Sequence, residues 1–318
     1  MDSADTLTAQ HDELSATAFA IAYRMLGSVS DAEDIVQESL LRLHEVLEQD
    51  EPVTSPRAYL ATVVTRLSID HLRSARVRRE LYVGEWLPEP LVGADRRSAG
   101  DRVELAESLN TAFLVLLESL SAEQRAVFLL RDVFDYDYPT IASIVGKSES
   151  ACRQLAVRAR ARVLERRPRF DADTVQLGAL TERFFAAIET GELAGLEALL
   201  AEDVSLHGDG GGKVPALARP LAGRAAVARA LLNWGRVARR IGGYQVKRVP
   251  VNAQAGAVIV SADDKILAVW TLDIVDDRIA AIRAVVNPDK LRHLGNTEDF
   301  GKWLASKKPQ ENRGQAGQ

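Results

Sequence analysis

The side chains of this sequence that could do chemistry are arginines, carboxylates and a few amides, and their spacing suits recognition rather than bond making. Seven arginines lie between Arg153 and Arg169 against the single acid Glu165. At helical spacing Cys152, Ala156, Ala159 and Val163 share one apolar face, which leaves Ser150, Arg153, Gln154, Arg158, Arg160 and Arg162 on the others. In a major groove arginine pairs with the guanine edge and glutamine with the adenine edge, while flanking arginines meet phosphates. Arg153 and Gln154 are therefore the candidate base readers. A second basic run, Arg66, Arg73, Arg76, Arg78 and Arg79, stands against Asp70 and Glu80. Ahead of both, Asp31 to Glu51 holds eight acids against Arg42 alone. Each run by itself also reads as a solvated helix face, and Asp31, Glu33 and Asp34 also suit the positive end of a helix dipole. Two arginine runs on separate helices are harder to explain in that way.

Catalytic and metal chemistry find less support. Cys152 is the sole cysteine, which excludes a disulfide framework and a cysteine-based metal site, and its apolar helix face makes it a small core residue. His71 has no second His or Cys at ligand spacing. The run Asp209-Gly210-Gly211-Gly212-Lys213 would let backbone N–H groups approach a ligand, yet it lacks the strand, spacing and following helix of a phosphate loop. It reads as a sharp turn that brings Asp209 and Lys213 against another surface, with Trp86 and Leu87 as the expected partner. No cofactor and no metal is expected.

The 318 residues are 47% hydrophobic and carry a net charge of −5. At about 150 residues per domain this is a soluble protein of two or three domains. No stretch reaches the roughly 18 apolar residues of a membrane span, and no signal segment precedes the first acids, so a cytoplasmic protein without a membrane partner is expected. A net charge this close to zero would argue against a nucleic-acid binder. The average hides the segregation described above.

Helical periodicity runs from Leu14 to Leu47, interrupted at Gly27 and Ser28, with Ser30 a cap candidate for a helix starting at Asp31. Ser55 and Pro56 then open a helix to about Glu80. Between Leu81 and Asp101 the periodicity is lost, but Trp86, Leu87, Leu91 and Val92 are too apolar for a free linker, so this segment should dock. Helices return over Val103–Glu118, Ala122–Val133 and Tyr138–Val145. After the turn Gly146-Lys147 another runs from Ser148 to about Arg166; a pair so joined is either a helix-turn-helix or an ordinary helical hairpin. From Val175 the pattern is helices at Val175–Glu189, Leu193–Leu200 and Ala225–Ala238, then strands at Tyr244–Val251, Ala257–Ser261, Ile266–Ile274 and Arg278–Val286, an α+β arrangement.

Taken together, DAEDIVQESLLRL (Asp31–Leu43), SPRAYLATVVTRLSIDHLR (Ser55–Arg73) and the stretch from Leu120 to Val163 resemble regions 2 and 4 of bacterial extracytoplasmic-function sigma factors, in that order and without region 3. WLPEPL (Trp86–Leu91), DGGGK (Asp209–Lys213) and NPDKL (Asn287–Leu291) resemble the signatures of the subgroup with a fused SnoaL-like extension. The resemblance implies a multidomain fold: region 2 as a helical bundle over 8–80, a linker over 81–102, a region 4 helix-turn-helix over 103–168, and an α+β cone-shaped SnoaL-like (nuclear-transport-factor-like) domain over 174–292. A polar tail over 305–318 is expected to be disordered.

It also implies partners. Asp31, Glu33, Asp34, Gln37 and Glu38 would dock on the coiled coil of the polymerase β′ subunit, and region 4 would meet the β flap. Arg66, Asp70, His71, Arg73 and Arg76 would open the −10 element of promoter DNA, and Ser150, Arg153, Gln154 and Arg158 would read the −35 element. Tyr59, where the family often has another aromatic, is expected to pack in the core. Trp86, Leu87, Asp209 to Lys213, Asn287, Pro288, Asp289, Lys290 and Leu291 would make regulatory contacts between linker and extension. His207, Asp209, Trp234 and Tyr244 are possible lining residues of a pocket for a small ligand. The function implied is promoter recognition and melting, not enzymatic turnover. A ligand-responsive helix-turn-helix regulator and a SnoaL-like enzyme with a helical N-terminal module are the alternative readings.

Overall fold

A computed structural model describes residues 3–49, 53, 55–80, 82–93, 108–166, 174–240 and 243–306. The chain divides into two compact units: Met1–Leu81 with Ala94–Pro168, and Tyr82–Gly93 with Arg169–Gln318. The segment expected to dock belongs with the C-terminal unit.

The first unit is helical. Helices α1 (Ser3–Leu26) and α2 (Val29–Glu48) meet at Gly27, whose φ of 66° lets the chain reverse. The cap of α2 is Ser28 rather than Ser30: its hydroxyl accepts the Asp31 N–H at 3.2 Å, so the helix begins two residues earlier than expected. Helix α3 (Pro56–Glu80) starts where Ser55 and Pro56 place it. Ile21, Tyr23, Met25, Leu26, Leu60 and Val64 are buried in the core of this unit.

Helix α4 (Thr111–Leu117) starts at Asn110, whose side chain accepts the Ala112 N–H, so the expected start at Val103 falls outside the described residues. Helix α5 (Ala122–Phe128) opens with a capping box between Ser121 and Gln124 and continues into a π-helical turn, Leu129–Val133. Helix α6 (Tyr138–Val145), capped by Asp137, ends on Gly146 at φ 68°, and α7 (Glu149–Arg166) follows. Val127, Leu130, Ile141, Ile144, Cys152 and Ala156 pack together between α5, α6 and α7. This buried seam resolves the choice between an incidental hairpin and a helix-turn-helix: the two helices share a core with the helix before them.

The second unit is α+β. Helices α8 (Thr174–Thr190) and α9 (Leu193–Leu199) lead into β1 (Leu200–Asp209), then β2 (Leu221–Ala222), α10 (Arg224–Arg240), β3 (Tyr244–Arg248), β4 (Gly256–Ser261), β5 (Ile266–Val275) and β6 (Arg278–Val285). A 3₁₀ helix, Pro288–Leu294, and α11 (Phe300–Ser306) close it. The sheet order is β2-β1-β6-β5-β4-β3, with β1 parallel to β6 and every other pair antiparallel. Register shifts in β1, β4 and β5 mark bulges, which bend strands. Strand β1 is a correction to the sequence reading, in which its residues were not a strand. The core also continues past residue 292, because Phe300 and Trp303 of α11 are buried in it. Residues 307–318 of the expected tail lie outside the described residues.

Candidate nucleic-acid interface and linker seat

On α7 the four candidate −35 residues Ser150, Arg153, Gln154 and Arg158 are all exposed, while Cys152, Ala156 and Ala159 are fully buried. The left-handed turn at Gly146 and the Ser148 hydroxyl, which accepts the Ala151 N–H, set the start of the helix. The Arg153 guanidinium lies over the Tyr138 ring at 4.3 Å and reaches Glu149 at 3.3 Å. That stacking holds it beside α6, with Nη2 donating to the Glu149 carboxylate. Arg160 and Arg162 serve the fold instead: Arg160 pairs with Asp132 at 2.8 Å and Arg162 donates to the Ser119 carbonyl. The sequence reading missed Val157, which is 63% exposed between the arginines. An exposed valine within an arginine run is the signal that could have found it, since an apolar group there suits a thymine methyl.

The candidate −10 residues on α3 are engaged by other side chains and carbonyls. Arg66 donates from Nε to the Ile144 carbonyl and from Nη2 to that of Ser143, both at 2.9 Å. Arg73 donates to Glu123 at 2.6 Å and lies 3.3 Å from Asp70. This pairing raises the Arg73 pKa and holds the Glu123 carboxyl below its ordinary value. His71 sits 3.4 Å from Asp31. The Arg76 side chain lies outside the described residues. Tyr59 is half-buried on α3, in keeping with packing.

On α2 the residues Glu33, Asp34, Gln37 and Glu38 are exposed, and Asp31 is partly so. Ala32, Ile35, Val36, Ser39 and Leu43 face inward. Glu38 pairs with Arg42 one turn on at 2.9 Å. Leu41 is 59% exposed on the same outward face, an apolar group in an acidic surround.

In the second unit the three short motifs converge on Asp209, which is 0% exposed. Its carboxylate accepts the Tyr82 hydroxyl at 2.5 Å, the Leu87 N–H at 2.8 Å, the Gly211 N–H at 3.1 Å and the Lys290 ammonium at 2.7 Å. Its backbone carbonyl takes the N–H groups of Val286 and Asn287. Lys290 also donates to the Leu87 carbonyl and lies over the Trp86 ring at 4.3 Å and the Tyr82 ring at 4.9 Å. A buried charge needs such pairing. Burial beside the Asp209 carboxylate pushes the Tyr82 hydroxyl well above its ordinary pKa. Asn287 caps the 3₁₀ helix through Asp289 N–H and donates to Tyr82, and Pro288 takes the first helical position. Leu291 is buried.

The seat extends on both sides. Glu85 meets His207 at 2.8 Å, and His207 meets Ser205 at 2.9 Å. Leu91 exchanges hydrogen bonds with Asn252, Gly93 donates to Pro250, and His293 reaches the Pro90 carbonyl.

Three details correct the sequence reading. Lys213 pairs with Asp289 rather than with the linker, and Trp86 packs on Lys290 while Tyr82 and Val83 meet the glycine turn. A strand, β1, does precede that turn, although no helix follows it directly. His207 and Asp209 do not share a pocket with Trp234 and Tyr244. Leu206 faces the main core that holds Trp234 and Tyr244, so its neighbour His207 points to the other face of the sheet.

Two helical modules in this order, the second a helix-turn-helix with an exposed arginine face, define a sigma factor with regions 2 and 4. The Sigma-70 region 2 family matches residues 12–78, and the Sigma-70, region 4 family matches residues 110–163. The chain belongs to the extracytoplasmic-function (ECF) RNA polymerase sigma factors. It is 38% identical over 283 residues to the ECF RNA polymerase sigma factor SigJ of Mycobacterium tuberculosis, covering 85% of this chain and 88% of that protein. A crystal structure of M. tuberculosis SigJ superposes with a TM-score of 0.70 at 32% identity, covering 90% of this chain and 98% of that one. The probable ECF RNA polymerase sigma factor SigI of the same species is 35% identical over 193 residues, covering 58% of this chain and 66% of that protein. Sigma factors bind core RNA polymerase and promoter DNA. Among the described residues no helix is long and apolar enough to cross a membrane.

Proposed function

We propose that this chain directs core polymerase to promoters with two separated elements, and that its C-terminal domain regulates it in cis through the linker. In this reading the acidic face of α2, Asp31 to Glu38 with Leu41, docks on the basic β′ coiled coil, where charge complementarity sets orientation and association rate. Region 4 meets the β flap and reads the −35 element through Ser150, Arg153, Gln154 and Arg158. The α3 face opens the −10 element, where unstacking a base is the main cost. The work is binding and melting in the cytoplasm, with no bond made or broken by the chain.

The observation that carries the reading is the outward face of α7, where four residues suited to base edges and phosphates are exposed while the opposite face is sealed. The three-motif seat around Asp209 supports regulation through the linker, because Tyr82 to Gly93 is built into the C-terminal unit. Aromatic rings, Phe185, Trp270 and Phe300 in the core with the partly buried Trp234 and Tyr244, pack together in that domain.

The test is transcription by core polymerase on fragmented genomic DNA, with and without the full chain, followed by mapping of RNA 5′ ends. New starts sharing two upstream motifs are expected, and the joint substitution Arg153→Ala and Gln154→Ala should abolish them. Absence of any new start would overturn the proposal.

A further inference from the structure

Tyr138 is the first residue of α6, and its neighbours in the chain fix where its ring lies. Asp135 makes a left-handed turn at φ 60° after the π-helical turn, Asp137 caps α6 by accepting the Thr140 N–H at 3.0 Å, and Pro139 follows in the first turn. The ring is half-buried against the seam that α5, α6 and α7 share. Arg153 and Arg131 both lie over it, at 4.3 Å and 5.6 Å. Arg131 is held further by the fold, donating to the Tyr136 carbonyl at 2.9 Å. Arg153 is different: its side chain is 57% exposed, and Glu149 at 3.3 Å is its one hydrogen-bonded partner among the described residues. An arginine side chain without such neighbours samples many rotamers and must be ordered as it binds. The stack on Tyr138 orders this one beforehand. It occupies the face of the guanidinium, whereas a base is met by its edge, so the two contacts do not compete. The Glu149 bond is long and exposed, and it is given up at little cost when a base takes its place.

We infer that Tyr138 is a positioning residue for promoter reading: its ring holds the Arg153 guanidinium ready, so that one guanine of the −35 element is read with a preference that an unsupported arginine would not give. The inference rests on the assignment of α7 to the −35 element proposed above and deepens it. Tyr138 acts only through Arg153. Loss of its ring therefore lowers discrimination at the single base pair that Arg153 reads and leaves the other positions as they are, whereas loss of a structural prop would weaken every position alike. The face of the ring carries the effect, so phenylalanine serves in its place and an aliphatic side chain does not.

The experiment uses core polymerase with the full chain on a promoter found by the transcription test, with each −35 base pair changed in turn and the transcripts counted in competition. Arg153→Ala identifies the position whose guanine preference depends on Arg153. At that position Tyr138→Leu should lower the preference about 2- to 5-fold, the range of an exposed cation–π contact, and Tyr138→Phe should retain most of it. Tyr138→Met also keeps an apolar group on the seam and should behave like Tyr138→Leu, and thermal melts of all three variants separate this readout from stability. Replacing that guanine by 7-deazaguanine removes the N7 acceptor of a two-bond arginine contact, which should cost wild type more than Tyr138→Leu. A loss spread evenly over all positions in Tyr138→Leu and Tyr138→Met, or a Tyr138→Phe that behaves like them, would overturn the inference. If Arg153→Ala changes no preference, or if wild type gives no transcripts, the inference falls together with the assignment it rests on, and both outcomes are told apart from a failure at Tyr138 alone.

Discussion

The carboxylate of Asp209 accepts the backbone N–H of Leu87 at 2.8 Å, and both residues are 0% exposed. A linker amide is thus satisfied by a side chain that comes 122 positions later, and the same carboxylate neutralises Lys290. Removing it strands an ammonium in a dry site, which costs about 3–5 kcal/mol. Asp209→Ala should therefore lower the melting temperature of the full chain by roughly 6–20 °C, taking about 2–4 °C per kcal/mol. Adding Lys290→Met should recover much of the loss, since a pair removed together leaves no orphan charge. A single variant as stable as wild type in a thermal melt would contradict this.

The glycine turn provides a second, purely steric prediction. Gly211 has φ 58° and an added Cβ would lie 2.2 Å from Asn287 Nδ2; Gly212 has φ 69° and its Cβ would lie 2.8 Å from that of Val83. Alanine at either site combines backbone strain of about 1 kcal/mol or more with a collision, against Asn287 at the start of the 3₁₀ helix or against Val83 of the linker. Gly223 has φ 93° but open space around it, so Gly223→Ala pays the strain alone. Hydrogen exchange at the Leu87 amide should accelerate in Gly211→Ala and Gly212→Ala and stay unchanged in Gly223→Ala.

Much of this was legible because local rules acted alone. Ser55-Pro56 before α3, Gly146 after α6 and the period of Cys152, Ala156, Ala159 and Val163 each follow from the geometry of one helix. Strand β1 was not legible: its burial alternates only in part, and the acids Glu202 and Asp203 broke the apolar pattern. Its identity is fixed by parallel pairing with β6, 76 to 79 residues later in the chain. The motif residues Asp209 and Lys290 could be named from resemblance, but not the Tyr82 hydroxyl between them, because a single tyrosine beside an aperiodic stretch carries no spacing signal. Engagement of Arg66 by helix carbonyls is equally silent in sequence, since carbonyls are common to all residues.

The contact between Arg73 and Glu123 should respond to pH and salt. The Glu123 pKa is lowered in the fold, first by the hydrogen bond from Arg73, so the fold binds its proton less readily than the unfolded chain does. Its stabilising contribution is complete above the ordinary glutamate pKa of 4.5 and disappears as pH falls through the lower folded value. The Arg73 side chain is 57% exposed, so salt screens the pair. The difference in melting temperature between wild type and Glu123→Gln should therefore shrink as pH drops below about 4.5. An unchanged pH dependence in the variant would place the titrating group elsewhere.

Trp303 sets the last prediction, because it lies beyond the boundary that the sequence alone suggests for the C-terminal domain. It is 1% exposed, its ring centroid is 5.9 Å from that of Phe300, and Phe300 in turn is 6.1 Å from Trp234, which adjoins Trp270 at 5.3 Å. A truncation just after Leu291 removes two aromatic rings from this cluster, each a loss of the order of 3–5 kcal/mol. A change in transcription on such a truncation would then report a loosened core rather than a lost regulatory contact. Trp303→Ala should already lower the melting temperature by roughly 6–20 °C and expose the core to an apolar dye. A truncation after Ser306 keeps both rings and should melt like wild type. If the two truncations are equally stable, α11 contributes nothing to the domain, and the boundary belongs near Arg292 after all.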